Sequence, residues 1–255
     1  MKALRKMQAA RGLSMETAQV PAIGPTDVLV RVKTASICGT DLHIYGWDRW
    51  SQGRIKPPVT LGHEFCGAIE KVGDEVAMLK AGDFVSAEMH VNCGHCHQCR
   101  VGEAHICPNV KIIGIDQDGA FADYVKIPAS NIIKLDAAIP EHYGAILDPL
   151  GNAVHTVLAG AIAGQSVLVT GCGPIGLMSI VVAKASGTKW SFVLTTTAAQ
   201  MTATQTTAKR AAALRSAMSL TGNLPGDPPP RRAEGLAEGA VRWKRAQAWP
   251  TTTYR

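Results

Sequence analysis

Apolar and polar residues alternate in short runs through the first half of the chain, and a helical period takes over only past its middle. Residues 3–7 and 27–37 read as strands, the second carried by Val28-Leu29-Val30-Arg31-Val32-Lys33-Thr34, and the turn Ala22-Ile23-Gly24-Pro25 separates them. The second strand delivers Cys38 to its end, where a rigid scaffold can hold a reactive side chain beside a loop. Residues 44–50 are aromatic and turn-like; their rings either wall a small pocket or simply pack a loop. Residues 65–72 form a further strand, and Gly82-Asp83 turns into the next at Phe84-Val85. The β pattern continues over 111–115, turns at Gln117-Asp118-Gly119, resumes over 120–127 and closes at Pro128. From Pro140 the spacing of Tyr143, Ile146 and Leu147 predicts a helix. Ser166-Val167-Leu168-Val169-Thr170, a glycine turn and residues 177–185 then read as strand, turn and helix.

Chemistry enters on this framework at four places. Cys38-Gly39-Thr40-Asp41-Leu42-His43 packs a thiol, a hydroxyl and an imidazole into six residues. A thiolate there can bind zinc, which polarises an alcohol oxygen, while Thr40 and His43 carry the released proton toward water; a buried, inert Cys38 is the plainer alternative. His63 and Glu64 are adjacent on an extended segment and would face opposite sides, so both reach one metal only if the chain turns at Gly62. Cys93, Cys96, Cys99 and Cys107 are four of the seven cysteines and lie within fifteen residues, a spacing that closes a tetrahedral zinc site with no open position. An iron–sulfur cluster is the competing reading, but the ferredoxin run has three residues before its last cysteine, where this chain has seven. Gly171-Cys172-Gly173-Pro174-Ile175-Gly176, between strand and helix, has the form of a dinucleotide fingerprint.

Gly62-His63-Glu64-x2-Gly67-x5-Gly73 and the cysteine spacing resemble the zinc-containing medium-chain dehydrogenases, the alcohol and sorbitol dehydrogenase superfamily. Within it the chain is most similar to the members that oxidise L-threonine. The carrying residues are Met1-Lys2-Ala3-Leu4, Thr34-Ala35-Ser36-Ile37-Cys38-Gly39-Thr40-Asp41-Leu42-His43-Ile44-Tyr45, Trp47-Asp48-x-Trp50-Ser51 and Gly151-Asn152-Ala153-Val154-His155-Thr156, and the likeness extends over about residues 1–187. It implies an α/β chain with a GroES-like, β-rich catalytic domain over 1–150, the start of a Rossmann NAD-binding domain over 151–187, and an atypical basic tail over 188–255. It further implies a catalytic zinc on Cys38, His63 and Glu64, a structural zinc on the four cysteines, and a proton relay through Thr40 and His43. Asp148 would assist beside the metal, with a plain helix N-cap as its alternative. Gly171, Gly173, Ile175 and Gly176 would contact NAD. The implied reaction oxidises L-threonine to L-2-amino-3-oxobutanoate in a homotetramer, with another secondary-alcohol or polyol substrate as the alternative.

Charge and composition change the picture mainly at the C-terminal end. Residues 1–187 carry 16 Lys and Arg against 17 Asp and Glu, whereas 188–255 carry 10 against 3, so the net charge of +6 resides in the tail. Lys209-Arg210, Arg231-Arg232, Arg242, Lys244 and Arg245, with Trp243 and Trp249 nearby, would suit a nucleic acid, but a solvated tail is the reading preferred and no nucleic-acid role is expected. No acidic residue lies between Asp148 and Asp227, so the ribose-binding acid of the fingerprint is missing and the expected second strand ends in Thr195-Thr196-Thr197. The tail reads as a shifted frame or an unrelated extension, disordered or marginally helical over 206–219, which predicts little turnover of threonine by this chain. No run of 18 apolar residues and no secretory leader occurs, so no membrane association is expected and the cytosol is the expected compartment.

Overall fold

The computed structural model describes residues 1–171 and 173–194, the last five of them by backbone alone. All belong to one compact unit, Met1–Thr196. The readings made for the basic tail lie outside the described residues.

Strand β1 (Lys2–Lys6) pairs antiparallel with β2 (Ser14–Thr17). Strand β3 (Asp27–Ser36) ends two residues before Cys38. The stretch read as an aromatic turn is instead two short helices, α1 (Gly39–Gly46) and α2 (Arg49–Arg54). Trp47 separates them in the left-handed conformation, φ 57°, and its N–H bonds back to the carbonyls of His43 and Ile44. Strand β4 (Val59–Thr60) returns to pair with β1.

The centre of the molecule is a five-stranded antiparallel sheet. Strand β5 (Glu64–Val72) lies beside β3, and β6 (Phe84–Ala87) lies beside β5. After β7 (His90–Val91), the short helix α3 (His97–Arg100) and β8 (Lys111–Ile112), strands β9 (Tyr124–Pro128) and β10 (Ile132–Lys134) fill the two edges, giving the order β10-β6-β5-β3-β9. Alternate residues of these strands point to one side, and Val28, Val30, Phe65, Ile69, Val85, Val125 and Ile127 form the main core there. A second core of Ile44, Ile55, Val59, Leu61 and Ile115 fixes α1 and α2 against the smaller sheet. The register of β3 on β5 matters most for function. It sets Ser36 opposite Glu64, so the outgoing end of one strand meets the incoming end of the other.

Helices α4 (Glu141–Gly144) and α5 (Leu147–Val157) follow. Strand β11 (Ser166–Thr170), helix α6 (Pro174–Ala185) and strand β12 (Trp190–Leu194) then form a parallel βαβ unit, with Val157, Ile162, Ala183, Val167 and Val182 packed between its helices and strand. The architecture is therefore a GroES-like β-rich domain running into the start of a Rossmann-type sheet. Among the described residues no helix is long and apolar enough to cross a membrane.

Candidate functional site

Cys38, His63 and Glu64 come together although 24 residues of chain separate the first from the second. The antiparallel register does it: β3 ends at Ser36 and β5 begins at Glu64, so the residues just beyond each end are neighbours. One ligand atom from each of the three lies within 4.8 Å of the other two. The chain turns at Gly62, φ +91°, where a side chain would collide with Phe121 at 2.4 Å. The carbonyl of that glycine accepts from Ala120 N–H at 2.8 Å, so the 119–121 loop clamps the turn. This is how His63 and Glu64 face one point despite being adjacent.

Two buried polar atoms here lack a hydrogen-bond partner among the described residues, Asp41 Oδ1 and His63 Nδ1. An uncompensated buried donor or acceptor is costly, and a metal held by the imidazole nitrogen would remove that cost at His63. Among the described residues no fourth His, Cys, Asp or Glu joins this group, and one thiolate, one imidazole and one carboxylate fit a zinc that keeps an open position. The charges support it. Burial pulls the His63 imidazole down, but the Cys38 hydrogen bond and the negative groups Asp41, Cys38 and Asp148 outweigh that and leave its pKa raised. Burial raises Asp41, against the opposing hydrogen bond from Cys38 N–H at 2.9 Å. Glu64 accepts from the Ser36 hydroxyl, which also reaches Ala145 O at 3.1 Å.

Thr40 and His43 sit three residues apart on α1 and so share a face. Thr40 Oγ1 is 3.6 Å from Cys38 Sγ, at the mouth of the cluster. His43 is exposed, and its Nδ1 lies 2.6 Å from Asp48 Oδ2. Asp148 is inside the first turn of α5, where Ile146 is the N-cap, so the plain capping role does not describe it. Burial raises its pKa, with His63 opposing and Glu64 and Glu88 reinforcing, which places it in the electrostatic neighbourhood of the cluster. Asp41, Asp48, Ser51 and Ser36 lie within the motifs quoted from the sequence but carried no role there. The spacing of Asp48 and Ser51 is a helix-cap signal that could have found two of them.

The four cysteines form a second cluster on the lobe between β7 and β8. Sulfur–sulfur distances are 3.4 Å for Cys96–Cys99, 3.7 Å for Cys96–Cys107 and 3.6 Å for Cys93–Cys107. These are thiols and not disulfides, whose sulfurs lie about 2.05 Å apart. Four sulfurs each about 2.3 Å from a tetrahedral zinc are about 3.8 Å from one another, so the cluster fits that ion. Backbone N–H groups of His95 and Cys96 draw Cys93 down to about 5, against burial, while burial and neighbouring thiols push Cys99 up to about 12.

At the βαβ unit, Gly171 has φ +101°, Gly173 is the N-cap of α6, and Pro174 opens the helix. A side chain on Gly176 would meet Gly171 O at 2.0 Å. The glycines thus let the turn fold against the helix start, whose first N–H groups have no side-chain cap and suit a pyrophosphate. Ile175 is exposed beside them. The position expected for a ribose-binding acid lies beyond Leu194, outside the described residues.

Residues 24–137 match the alcohol dehydrogenase GroES-like domain. The L-threonine 3-dehydrogenase of Symbiobacterium thermophilum is 56% identical over 187 residues, covering 73% of this chain and 53% of that protein. Among solved structures, the alcohol dehydrogenase of Thermus sp. ATN1 superposes with a TM-score of 0.69 at 31% identity, covering 84% of this chain and 61% of that one. A structure described as a short chain alcohol dehydrogenase of E. coli CFT073, complexed with NADH, superposes with a TM-score of 0.68 at 30% identity, covering 85% of this chain and 66% of that one. The chain spans about half the length of the curated relatives it matches. Over those 187 residues it resembles the L-threonine 3-dehydrogenases, zinc-containing medium-chain dehydrogenases of the alcohol dehydrogenase superfamily.

Proposed function

We propose that this chain carries the active-site half of a zinc- and NAD-dependent dehydrogenase that oxidises the side-chain alcohol of L-threonine to 2-amino-3-oxobutanoate. The observation that carries the reading is the convergence of Cys38, His63 and Glu64, with the Thr40 hydroxyl 3.6 Å from Cys38 Sγ. The threonine dehydrogenases it resembles supply the substrate. Zinc, when bound, would supply a Lewis acid for the alcohol oxygen, and NAD would supply the hydride acceptor. Cys38, His63 and Glu64 hold that metal, and Asp148 balances charge beside it. Thr40 takes the alcohol proton through its hydroxyl and hands its own to His43, which lies in solvent and releases it. Gly171, Gly173, Ile175 and Gly176 receive the dinucleotide. Residues 1–150 are the catalytic domain and 151–187 open the nucleotide-binding one. The four-cysteine site holds a structural zinc, the assembly is a homotetramer, and free thiols suit the cytosol.

Metal analysis and NADH absorbance test this together. The expected result is two zinc ions per chain, one lost in Cys38→Ser and the other in Cys93→Ser, with threonine-dependent NADH formation, low in the unaltered chain because no ribose-binding acid follows the glycine fingerprint, abolished by Cys38→Ser and by His43→Ala. One zinc per chain, lost only in Cys93→Ser, would overturn the catalytic site. Oxidation of polyols in preference to threonine would overturn the substrate.

A further inference from the structure

We propose that Asp48 is a positioning residue for the proton relay: it holds His43 with the proton on Nδ1, so that Nε2 is the nitrogen that accepts. The inference rests on the reading of Thr40 and His43 as a relay, and it adds which ring nitrogen works and what selects it. The geometry begins at Trp47. Its left-handed backbone ends α1 and reverses the chain, so that Asp48, five residues past His43, comes back alongside the imidazole. The two carboxylate oxygens of Asp48 have separate tasks. Oδ1 accepts from Ser51 N–H and from the Ser51 hydroxyl, both at 2.9 Å, and Oδ2 is 2.6 Å from His43 Nδ1. Ser51 is fully buried, so the anchor of this chain is fixed in the core while its far end is in solvent. The Trp50 ring stands edge-on to the imidazole with centroids 6.5 Å apart, a second restraint on the ring.

An ionised carboxylate only accepts hydrogen bonds. The Ser51 N–H holds the Asp48 carboxyl below its usual range, with smaller contributions from the Ser51 hydroxyl and from His43. Asp48 is therefore an anion at neutral pH, and the nitrogen facing it must donate. A neutral imidazole that donates from Nδ1 has its lone pair on Nε2. In the relay the Thr40 hydroxyl bond to hydrogen breaks as Nε2 gains that proton and Thr40 gains one from the substrate alcohol. The resulting imidazolium is balanced by Asp48 until Nε2 gives the proton to water.

Asp48→Asn tests this without dismantling the cap, because the amide oxygen still accepts from Ser51. Its NH2 then faces Nδ1, which must accept, and the proton moves to Nε2. Long-range proton–nitrogen spectra of the full chain at alkaline pH, with His43 assigned by a His43→Gln variant, should show Nδ1–H in the wild type and Nε2–H in Asp48→Asn. Ser51→Ala, which weakens the helix cap and leaves the carboxylate, should keep the wild-type tautomer. In threonine-dependent NADH formation, Asp48→Asn should lower kcat by about 10²-fold or more with KM little changed, within the range of a general acid–base contribution. A wild-type His43 protonated on Nε2, or one unchanged by Asp48→Asn, would overturn the proposal whatever the turnover. The expected tautomers in a wild-type chain that never oxidises threonine would instead sink the functional reading and leave the hold of Asp48 on His43 established.

Discussion

Gly62 shows how much of the site one residue decides. Its φ of +91° is open to glycine and strained for any other residue, and a Cβ there would meet the ring and the backbone nitrogen of Phe121 at 2.4 and 2.7 Å. Gly62→Ala should therefore lower stability by at least about 1 kcal/mol from the backbone alone, more with the collision, and should also release the zinc proposed on His63. Thermal unfolding and metal content would check both; an alanine variant with full metal and an unchanged midpoint would show that the turn can relax. The candidate ligands Cys38, His63 and Glu64, which the fold brings together, were legible through the resemblance of their motifs to a family rather than from local spacing, which left an inert Cys38 open. The residues that hold them were not. Ser36 acts through a hydrogen bond to Glu64, 28 residues on, that only the folded backbone brings near, and nothing in its local spacing marks it, whereas Asp41 and Asp48 bond within three to five residues in helix-cap arrangements.

At the scale of elements, period-two alternation found β3, β5 and β6, and the strand–glycine–helix order found β11 and α6, because burial on one side imposes those patterns. It failed around 44–50, read as an aromatic turn where helices span 39–46 and 49–54. The span 39–54 holds Gly39, Gly46 and Gly53 and many aromatic residues, and it is helical because Ile44 and Ile55 are drawn into the second core, a tertiary cause that propensity does not show. Ion pairs between elements give a pH-dependent prediction. Asp83, at the entry to β6, bonds Lys134 of β10 at 2.8 Å, and this together with Lys80 N–H holds its carboxyl below the usual range. A depressed native pKa means that the unfolded chain takes up the proton first. The pair stabilises fully above the unfolded-state value of about 3.9, and its contribution fades as pH falls from there through the native value. Denaturant unfolding measured across that acid range should show a shallower loss in Asp83→Asn than in the wild type. Parallel acid limbs would mean that the edge strand is held by its backbone ladder alone.

Across the whole molecule, the two clusters sit in parts of very different strength, and this separates what each metal does. The Cys38 cluster lies where two strands of the main sheet meet, against Phe65 and Cys66, both fully buried. The lobe of residues 92–109 has almost nothing of the kind. Its helical turns, α3 and the 3-10 turn Ala104–Ile106, contain no buried residue, and Cys107 is its one buried apolar side chain. The two-residue pairing of β7 with β8, continued by Ile113 N–H to Met89 O and braced by Asn131 on His90 O, closes its neck. A segment that buries so little apolar surface cannot offset the entropy of ordering its backbone, about 1 to 2 kcal/mol per residue. The four sulfurs, spaced for one zinc, are what the lobe has instead, and a structural zinc supplies on the order of 10 kcal/mol of binding free energy that acts as folding free energy. Chelating the metal should therefore unfold the lobe and leave the sheet. Amide hydrogen exchange before and after chelation is expected to rise throughout residues 93–107 and to stay unchanged in β3, β5 and β9. Cys93→Ser, without chelator, should give the same map. Protection retained in the lobe after complete metal removal would show that hydrogen bonds such as Arg100 N–H to Cys96 O suffice to hold it. Loss of protection in β5 would show that the sheet depends on the lobe, and would move the boundary between metal-dependent and self-sufficient folding into the main core.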